Sequence, residues 1–247
     1  MTHILALNGS PRGVRSNTAA ILTPFLEGAR EAGARVETLI VRDLDIGFCQ
    51  GCFTCWTATP GVCCQKDDMA GVLERFQAAD YAVFATPLYH YGMAAKLKAL
   101  LERTLPLLDP YLVRRGRLTT HNLRRGARFP RLVLVSNCGF PERDHFRSLV
   151  EQFRQLTEGR GPAATILVPA GEALGRRYSP GGPFDWFYEA LRRAGAELVK
   201  EGRLSPETQE ILARPLVSPE IYNEAANRGF DSLLASRGKD PGRLGGE

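Results

Sequence analysis

The 247-residue chain lacks any run of about 18 consecutive apolar residues, the length that a membrane-spanning helix requires. It also lacks the features of an export signal, because residues 1–8 lead directly into a strand-like stretch without a charged start or a cleavage site. These absences predict a protein of the cytoplasm that has no membrane partner. Its six cysteines are therefore expected to be reduced rather than paired in disulfides.

Two common nucleotide-binding motifs are also missing. The segment GSPRGVRSNT follows a strand-like stretch and opens a helical pattern. It has neither the Lys-Ser/Thr ending that grips triphosphates nor the G-x-G-x-x-G pattern of dinucleotide sites. A helix start rich in glycine and hydroxyl groups still fits a monophosphate, although a polar turn that binds nothing is the alternative. The predicted phosphate contacts are Ser10, Arg12, Ser16, Asn17 and Thr18.

What the sequence does contain is a repeated alternation of apolar runs with helical patterns, which is typical of a parallel sheet covered by helices on both faces. The composition is ordinary for a globular protein, with 44% hydrophobic and 24% charged residues. The predicted strands are 3–8, 35–40, 81–86, 132–137 and 165–169, and the predicted helices are 18–32, 69–78, 93–107, 143–156 and 184–201.

The segment NGSPRGVRSNT resembles the FMN-phosphate loop of the NAD(P)H-dependent FMN reductases, which belong to the flavodoxin-like superfamily. A second stretch, TPLYHYGMAAKLK, is similar to the TPxYxxxxxxxLK pattern of the same family. The resemblance implies bound FMN and a flavodoxin-like, doubly wound five-stranded sheet of order 2-1-3-4-5. It also implies that NAD(P)H or a reduced ferredoxin-like protein donates electrons.

In such a sheet the ligand lies in the crevice at the carboxyl ends of the strands, where the strand order reverses. The loop after the third strand is bounded by proline and glycine and is rich in aromatic residues, so it suits a flat flavin ring. We predict ring contacts from Pro87, Leu88, Tyr89, His90, Tyr91 and Gly92. Asn137 and Gly139, at the end of the fourth strand, are the predicted contacts with the pyrimidine edge of the flavin.

Five of the six cysteines lie between positions 49 and 64, in a C-x2-C-x2-C run that is followed by two further cysteines. This pattern resembles the compact motif of the iron–sulfur flavoproteins, relatives of the same reductases. The resemblance implies that Cys49, Cys52, Cys55 and Cys63 hold a 4Fe–4S cluster, with Cys64 outside the matching positions. The alternative is a cysteine-rich loop packed beside the flavin or at a subunit contact, with 66–69 capping the second helix.

We expect a flavodoxin-like domain over residues 1–202, with an arginine-rich insertion at 109–131, and a helical carboxyl-terminal appendage over 203–247. The net charge of +5 is modest, so the arginines favour a solvated loop over a nucleic-acid surface. The resemblance further implies a homodimer or homotetramer.

Three functions stay open at this point. The first is an FMN-dependent oxidoreductase that passes electrons from NAD(P)H or a reduced protein to an acceptor. The second is an iron–sulfur flavoprotein electron carrier. The third is a flavin-free module that binds a phosphate ligand or has a regulatory role.

Overall fold

The computed structural model of the chain describes residues 1–175 and 181–238, so the last nine residues of the expected appendage lie outside it. Within the described residues, five strands form a parallel sheet of order β2-β1-β3-β6-β7. Two further strands pair as a separate antiparallel hairpin, β4–β5. The strands are β1 His3–Asn8, β2 Arg35–Ile40, β3 Tyr81–Pro87, β4 Leu108–Arg115, β5 Leu118–Leu123, β6 Arg131–Asn137 and β7 Ala164–Val168.

The helices cover both faces of the parallel sheet, and side chains that alternate along each strand feed two separate cores. Ile4 and Val83 pack with Phe25 on one face, whereas Leu5 and Phe84 belong to the core on the other. This arrangement confirms the predicted flavodoxin-like, doubly wound fold. The helices are α1 Asn17–Glu31, α2 Met69–Ala78, α3 Ala95–Glu102, α4 Arg147–Leu156, α5 Asp185–Glu201, α6 Pro206–Ala213 and α7 Pro219–Ala235.

Two predicted helices are shorter than their sequence patterns. The stretch 93–107 contains only α3 before a separate 3-10 turn at Leu105–Leu107. The stretch 143–156 opens with a 3-10 turn at Arg143–Phe146, and α4 follows it directly. None of the helices within the described ranges is long and apolar enough to cross a membrane.

The arginine-rich insertion contains the β4–β5 hairpin and is therefore regular in structure. Most of its side chains are exposed, so the hydrophobic alternation of a half-buried strand is absent from its sequence. Arg124, just after β5, donates its backbone N–H to the carbonyl of Leu107 at 2.8 Å, and Arg115 forms an ion pair with Glu158 at 2.6 Å. These contacts hold the hairpin against the end of α3 and the loop after α4.

Candidate functional site

The loop between β1 and α1 begins at Gly9, where a larger residue has no room. A Cβ on Gly9 would lie 2.7 Å from Leu97 Cδ2 of α3. Ser16 is the N-cap residue of α1: its Oγ accepts a hydrogen bond from the N–H of Ala19 at 3.1 Å and donates to the carbonyl of Gly13 at 2.6 Å. The start of α1 therefore faces the carboxyl edge of the sheet with its loop tightly folded beneath it.

A second contact joins this loop to the end of β6. Thr18 Oγ1, buried at the start of α1, donates to Asn137 Oδ1 at 2.8 Å. The carbonyl of Asn137 in turn accepts the N–H of Leu88, at 2.8 Å. Loops that lie far apart in sequence are thus fixed to one another at the point where the strand order reverses.

A cavity of about 100 Å³ opens between these loops. Ten of the predicted flavin-site residues line it, together with two residues that the sequence analysis did not assign to the site, Cys138 and Glu172. His90, Tyr91 and Gly92 do not line the cavity but form the adjoining turn. The ten are Ser10, Arg12, Ser16, Asn17, Thr18, Pro87, Leu88, Tyr89, Asn137 and Gly139.

The turn after β3 has the conformation of a tight hairpin. Tyr89 and Gly92 exchange backbone hydrogen bonds of 2.9 and 3.0 Å, and the two residues between them, His90 and Tyr91, both have positive φ angles of 45° and 62°. Positive φ is uncommon outside glycine, which marks a backbone that its surroundings hold in place. The turn projects the half-exposed rings of Tyr89 and Tyr91 beside the cavity.

Aromatic rings from the loop after β6 continue this surface. The Tyr91 ring stacks on His145 with 6.0 Å between ring centroids, and His145 stacks on Phe140 at 4.5 Å. The sequence analysis missed Phe140 and His145, because they follow β6 by several residues and carry no motif.

The appendage reaches the same site through one residue. Tyr222 of α7 is 8% exposed, and its Oη lies 3.8 Å from the position that a Cβ on Gly139 would occupy. Burial, with smaller contributions from Glu172 and Cys138, raises the pKa of Tyr222 to about 12, so the phenol stays protonated near neutral pH. Burial likewise raises the pKa of the Cys138 thiol, which favours a small packed side chain over a reactive one.

The cysteine cluster forms a second pocket, which Arg103, Leu105 and Pro106 after α3 also line. The four predicted ligands Cys49, Cys52, Cys55 and Cys63 all line it, and so does Cys64. The Sγ atoms of Cys52 and Cys64 lie 3.7 Å apart. Nowhere in residues 1–175 or 181–238 do three or more histidine, cysteine or acidic side chains form a ready metal-binding group. The predicted ligands therefore share one pocket without converging on a point.

A buried arginine borders the cysteine pocket. Arg103, 1% exposed, donates from Nη1 and Nη2 to the two carboxylate oxygens of Asp67 at 2.7 and 2.9 Å. Burial lowers the pKa of Arg103, but hydrogen bonds to Asp67 and the charges of Cys63 and Asp67 raise it overall, which keeps the guanidinium charged. The sequence analysis missed Arg103 because its partners lie more than 35 residues away.

The β4–β5 hairpin supports the cysteine loop from outside. Trp56 donates its indole N–H to the carbonyl of Leu105 at 3.1 Å and packs on the His121 ring with 4.8 Å between centroids. Arg124 donates to the carbonyl of Cys55 at 3.3 Å.

Asp67 Oδ1 accepts the N–H of Met69, so a residue of the predicted 66–69 cap does stabilise the start of α2.

The fold and the loops at the switch point define the class of flavodoxin-like, doubly wound proteins. A family model described as NADPH-dependent FMN reductase matches residues 2–117. An iron–sulfur flavoprotein of Archaeoglobus fulgidus is 32% identical over 207 residues, which cover 82% of this chain and 83% of that protein. The chain therefore belongs to the iron–sulfur flavoproteins, a branch of the NAD(P)H-dependent FMN reductase family.

Other relatives match over shorter stretches. A second iron–sulfur flavoprotein of Archaeoglobus fulgidus is 37% identical over 101 residues, covering 41% of this chain and 48% of that protein. The chain thus spans about half the length of several curated relatives. Among solved structures, an FMN-dependent NADH-azoreductase from Bacillus anthracis in complex with FMN superposes with a TM-score of 0.57 at 16% identity, covering 81% of this chain and all of that one. That similarity concerns the fold alone.

Proposed function

We propose that this chain is an FMN-dependent oxidoreductase that takes electrons from a nicotinamide nucleotide or a reduced protein and passes them to an acceptor. One observation carries the proposal: the loops after β1, β3 and β6 contribute ten predicted flavin contacts to one cavity at the edge of the sheet. Membership in the FMN reductase family supports the same assignment. When bound, FMN supplies the redox chemistry, since its ring accepts electrons in pairs and releases them singly or in pairs.

The phosphate end of the cofactor fits the loop before α1. The free backbone N–H groups of a helix start carry a partial positive charge, and Ser10, Ser16 and Thr18 add hydroxyls around them. Arg12 is exposed at the mouth of the cavity and supplies the full positive charge that a phosphate dianion requires. The cavity of about 100 Å³ is smaller than the roughly 300 Å³ of a typical whole-ligand site, so part of the cofactor would lie outside it, over the turn after β3.

The flavin ring then lies over the turn after β3. Tyr89 and Tyr91 provide a half-exposed aromatic surface, and the hydrogen-bonded Tyr89–Gly92 turn fixes its height relative to the sheet. Asn137 is oriented by Thr18, so its amide group is preorganised toward the cavity. These residues bind and orient the cofactor, and we assign no side chain as a proton donor.

A second candidate, electron transfer through an iron–sulfur cluster, is supported by the cysteine pocket. Cys49, Cys52, Cys55 and Cys63 line one pocket beside a buried cation, which is a suitable set of thiolate ligands for a 4Fe–4S cluster. A bound cluster would exchange single electrons.

Helix α7 supports self-association in a homodimer or homotetramer. Tyr222 is the buried residue of this 17-residue helix, whereas Ile221, Phe230 and Leu233 expose between 47% and 64% of their surface. Exposed apolar side chains on α7 favour a contact with a second copy of the chain.

An anaerobic absorbance spectrum of the protein as isolated tests both candidate functions. Flavin bands that an excess of NADH or NADPH bleaches would support the oxidoreductase. An additional broad absorption, with iron and sulfide in equal amounts, would support the carrier. Absence of flavin from both the protein and its heat-denatured extract would contradict the proposal and favour a phosphate-binding module without flavin.

A further inference from the structure

We propose that the buried positive charge of Arg103, beside the cysteine pocket, raises the reduction potential of a 4Fe–4S cluster. The ligands of that cluster would be Cys49, Cys52, Cys55 and Cys63. The inference rests on the second candidate function above, which places a cluster in this pocket. It concerns a residue that follows α3 directly in the chain and that no cysteine motif includes.

The first argument is how firmly the guanidinium is held. Arg103 Nη1 donates to the carbonyl of Gly47 at 2.9 Å, to Gln65 Oε1 at 3.2 Å and to Asp67 Oδ2 at 2.7 Å. Gly47 and Gln65 flank the cysteine loop at its two ends. A Cβ on Gly47 would lie 2.5 Å from Gln65 Oε1, so the two ends are packed closely against each other. Arg103 thus fixes both ends of the loop that carries all the predicted ligands.

The second argument is that one hydrogen-bond donor of Arg103, its Nε–H, has no partner among the described residues. This N–H group is fully buried. A buried donor without a partner is costly, and a sulfur atom in the adjoining pocket would satisfy it. Arg103 lines the same pocket as the four cysteines, and Cys63 is the thiol that interacts with it electrostatically.

The third argument is the balance of charge. Four thiolates and a 4Fe–4S core carry a net negative charge, which increases by one when the cluster is reduced. A fixed cation at the wall of the pocket stabilises the more negative, reduced state, and so raises the reduction potential. Asp67 opposes this effect, because its carboxylate neutralises part of the Arg103 charge. Removing either member of the pair alone should therefore shift the potential, and the two shifts should have opposite signs.

The test uses the full-length chain reconstituted anaerobically with iron and sulfide. Iron and sulfide content are measured per chain, and the cluster potential is measured by a redox titration followed by electron paramagnetic resonance. We expect R103M to bind the cluster with a lower potential than the natural chain, by at least a tenfold change in the equilibrium constant of the one-electron reduction, or ~59 mV. We expect R103K to lie between the two.

Asp67→Asn provides a change of opposite sign. Because it removes the opposing carboxylate and leaves Arg103 charged, D67N should raise the potential. If Arg103 only held the cysteine loop in place, R103M and D67N would not shift the reduction potential in opposite directions. Arg115→Met is the matched control, since Arg115 is an arginine of the β4–β5 hairpin that pairs with Glu158 and does not line the cysteine pocket, and the potential of R115M should equal that of the natural chain.

Each outcome is decisive. If R103M and D67N both keep the potential of the natural chain, or if both shift it in the same direction, the inference is wrong. If R103M fails to hold a cluster, D67N alone decides, and an unchanged or lowered potential overturns the inference. If the natural chain itself takes up no iron or sulfide, the candidate carrier function is what fails.

Discussion

Gly195→Ala should destabilise the protein, although alanine is normally the better residue inside a helix. Gly195 lies in α5 where this helix crosses α1, and a Cβ there would stand 1.9 Å from the carbonyl oxygen of Phe25. The obstacle is backbone, so no side-chain rotation removes it. The two helices would have to separate by more than ~1 Å to restore ordinary packing distances of about 3.5 Å.

The magnitude follows from two opposing effects. Overpacking of a core costs about 3 kcal/mol, whereas alanine in place of glycine inside a helix contributes about 1 kcal/mol of stability. We therefore expect G195A to lower the free energy of unfolding by roughly 2 kcal/mol. Because α1 begins at the proposed phosphate loop, FMN affinity should fall as well.

Urea unfolding followed by far-ultraviolet circular dichroism measures this difference, and Gly229→Ala is the matched control. Gly229 lies inside α7 with no atom within 4 Å of the Cβ position, so G229A should raise stability by about 0.5–1 kcal/mol. A G195A variant that is as stable as the natural chain would refute the close helix crossing and with it the placement of α1.

Two further predictions concern caps and charges. Ser16→Ala should cost about 1 kcal/mol and weaken FMN binding. Ser205→Ala removes the corresponding cap of α6, does not line the cavity and should leave FMN binding unchanged; equal FMN affinities for both variants would contradict the phosphate site. Glu197→Gln should cost about 2 kcal/mol at pH 7, because Glu197 accepts hydrogen bonds from the backbone and hydroxyl of Ser205 and from Thr208. Burial raises the pKa of Glu197, but these bonds lower it overall in the folded state. The stabilisation is thus present above the ordinary carboxyl range near pH ~4.3 and disappears on acidification, and a difference between the two proteins that persists unchanged to pH 3 would contradict it.

The parallel sheet was predictable because its central strands β1, β3 and β6 are buried on both faces. Such strands read as continuous apolar runs, and the predicted bounds agree with the observed ones within one residue at each end. The hairpin was not predictable in the same way. Its strands β4 and β5 are largely exposed, and Pro110 interrupts the first, so neither apolar alternation nor strand propensity marks them.

Some residues of the candidate site were likewise predictable from the sequence, and others were not. Residues carried by motifs, such as Ser16 and Asn137, were placed by the sequence at the edge of the sheet, and the structure brings them to one cavity. Glu172, Tyr222 and Arg103 were not found, because each reaches its site from an element distant in the chain. Tyr222 lies about 80 residues after the loop that follows β6, and no local sequence pattern encodes a contact between them.

The central claim is that this chain holds FMN by its phosphate at the carboxyl edge of the sheet. A fluorescence titration of the flavin-free protein with FMN and with riboflavin, which lacks the phosphate, tests it most directly. The proposed loop predicts that FMN binds at least about tenfold more tightly, since even one charge-assisted hydrogen bond contributes roughly 1.5 kcal/mol. Equal affinity for the two flavins, or no binding of either, would contradict the account.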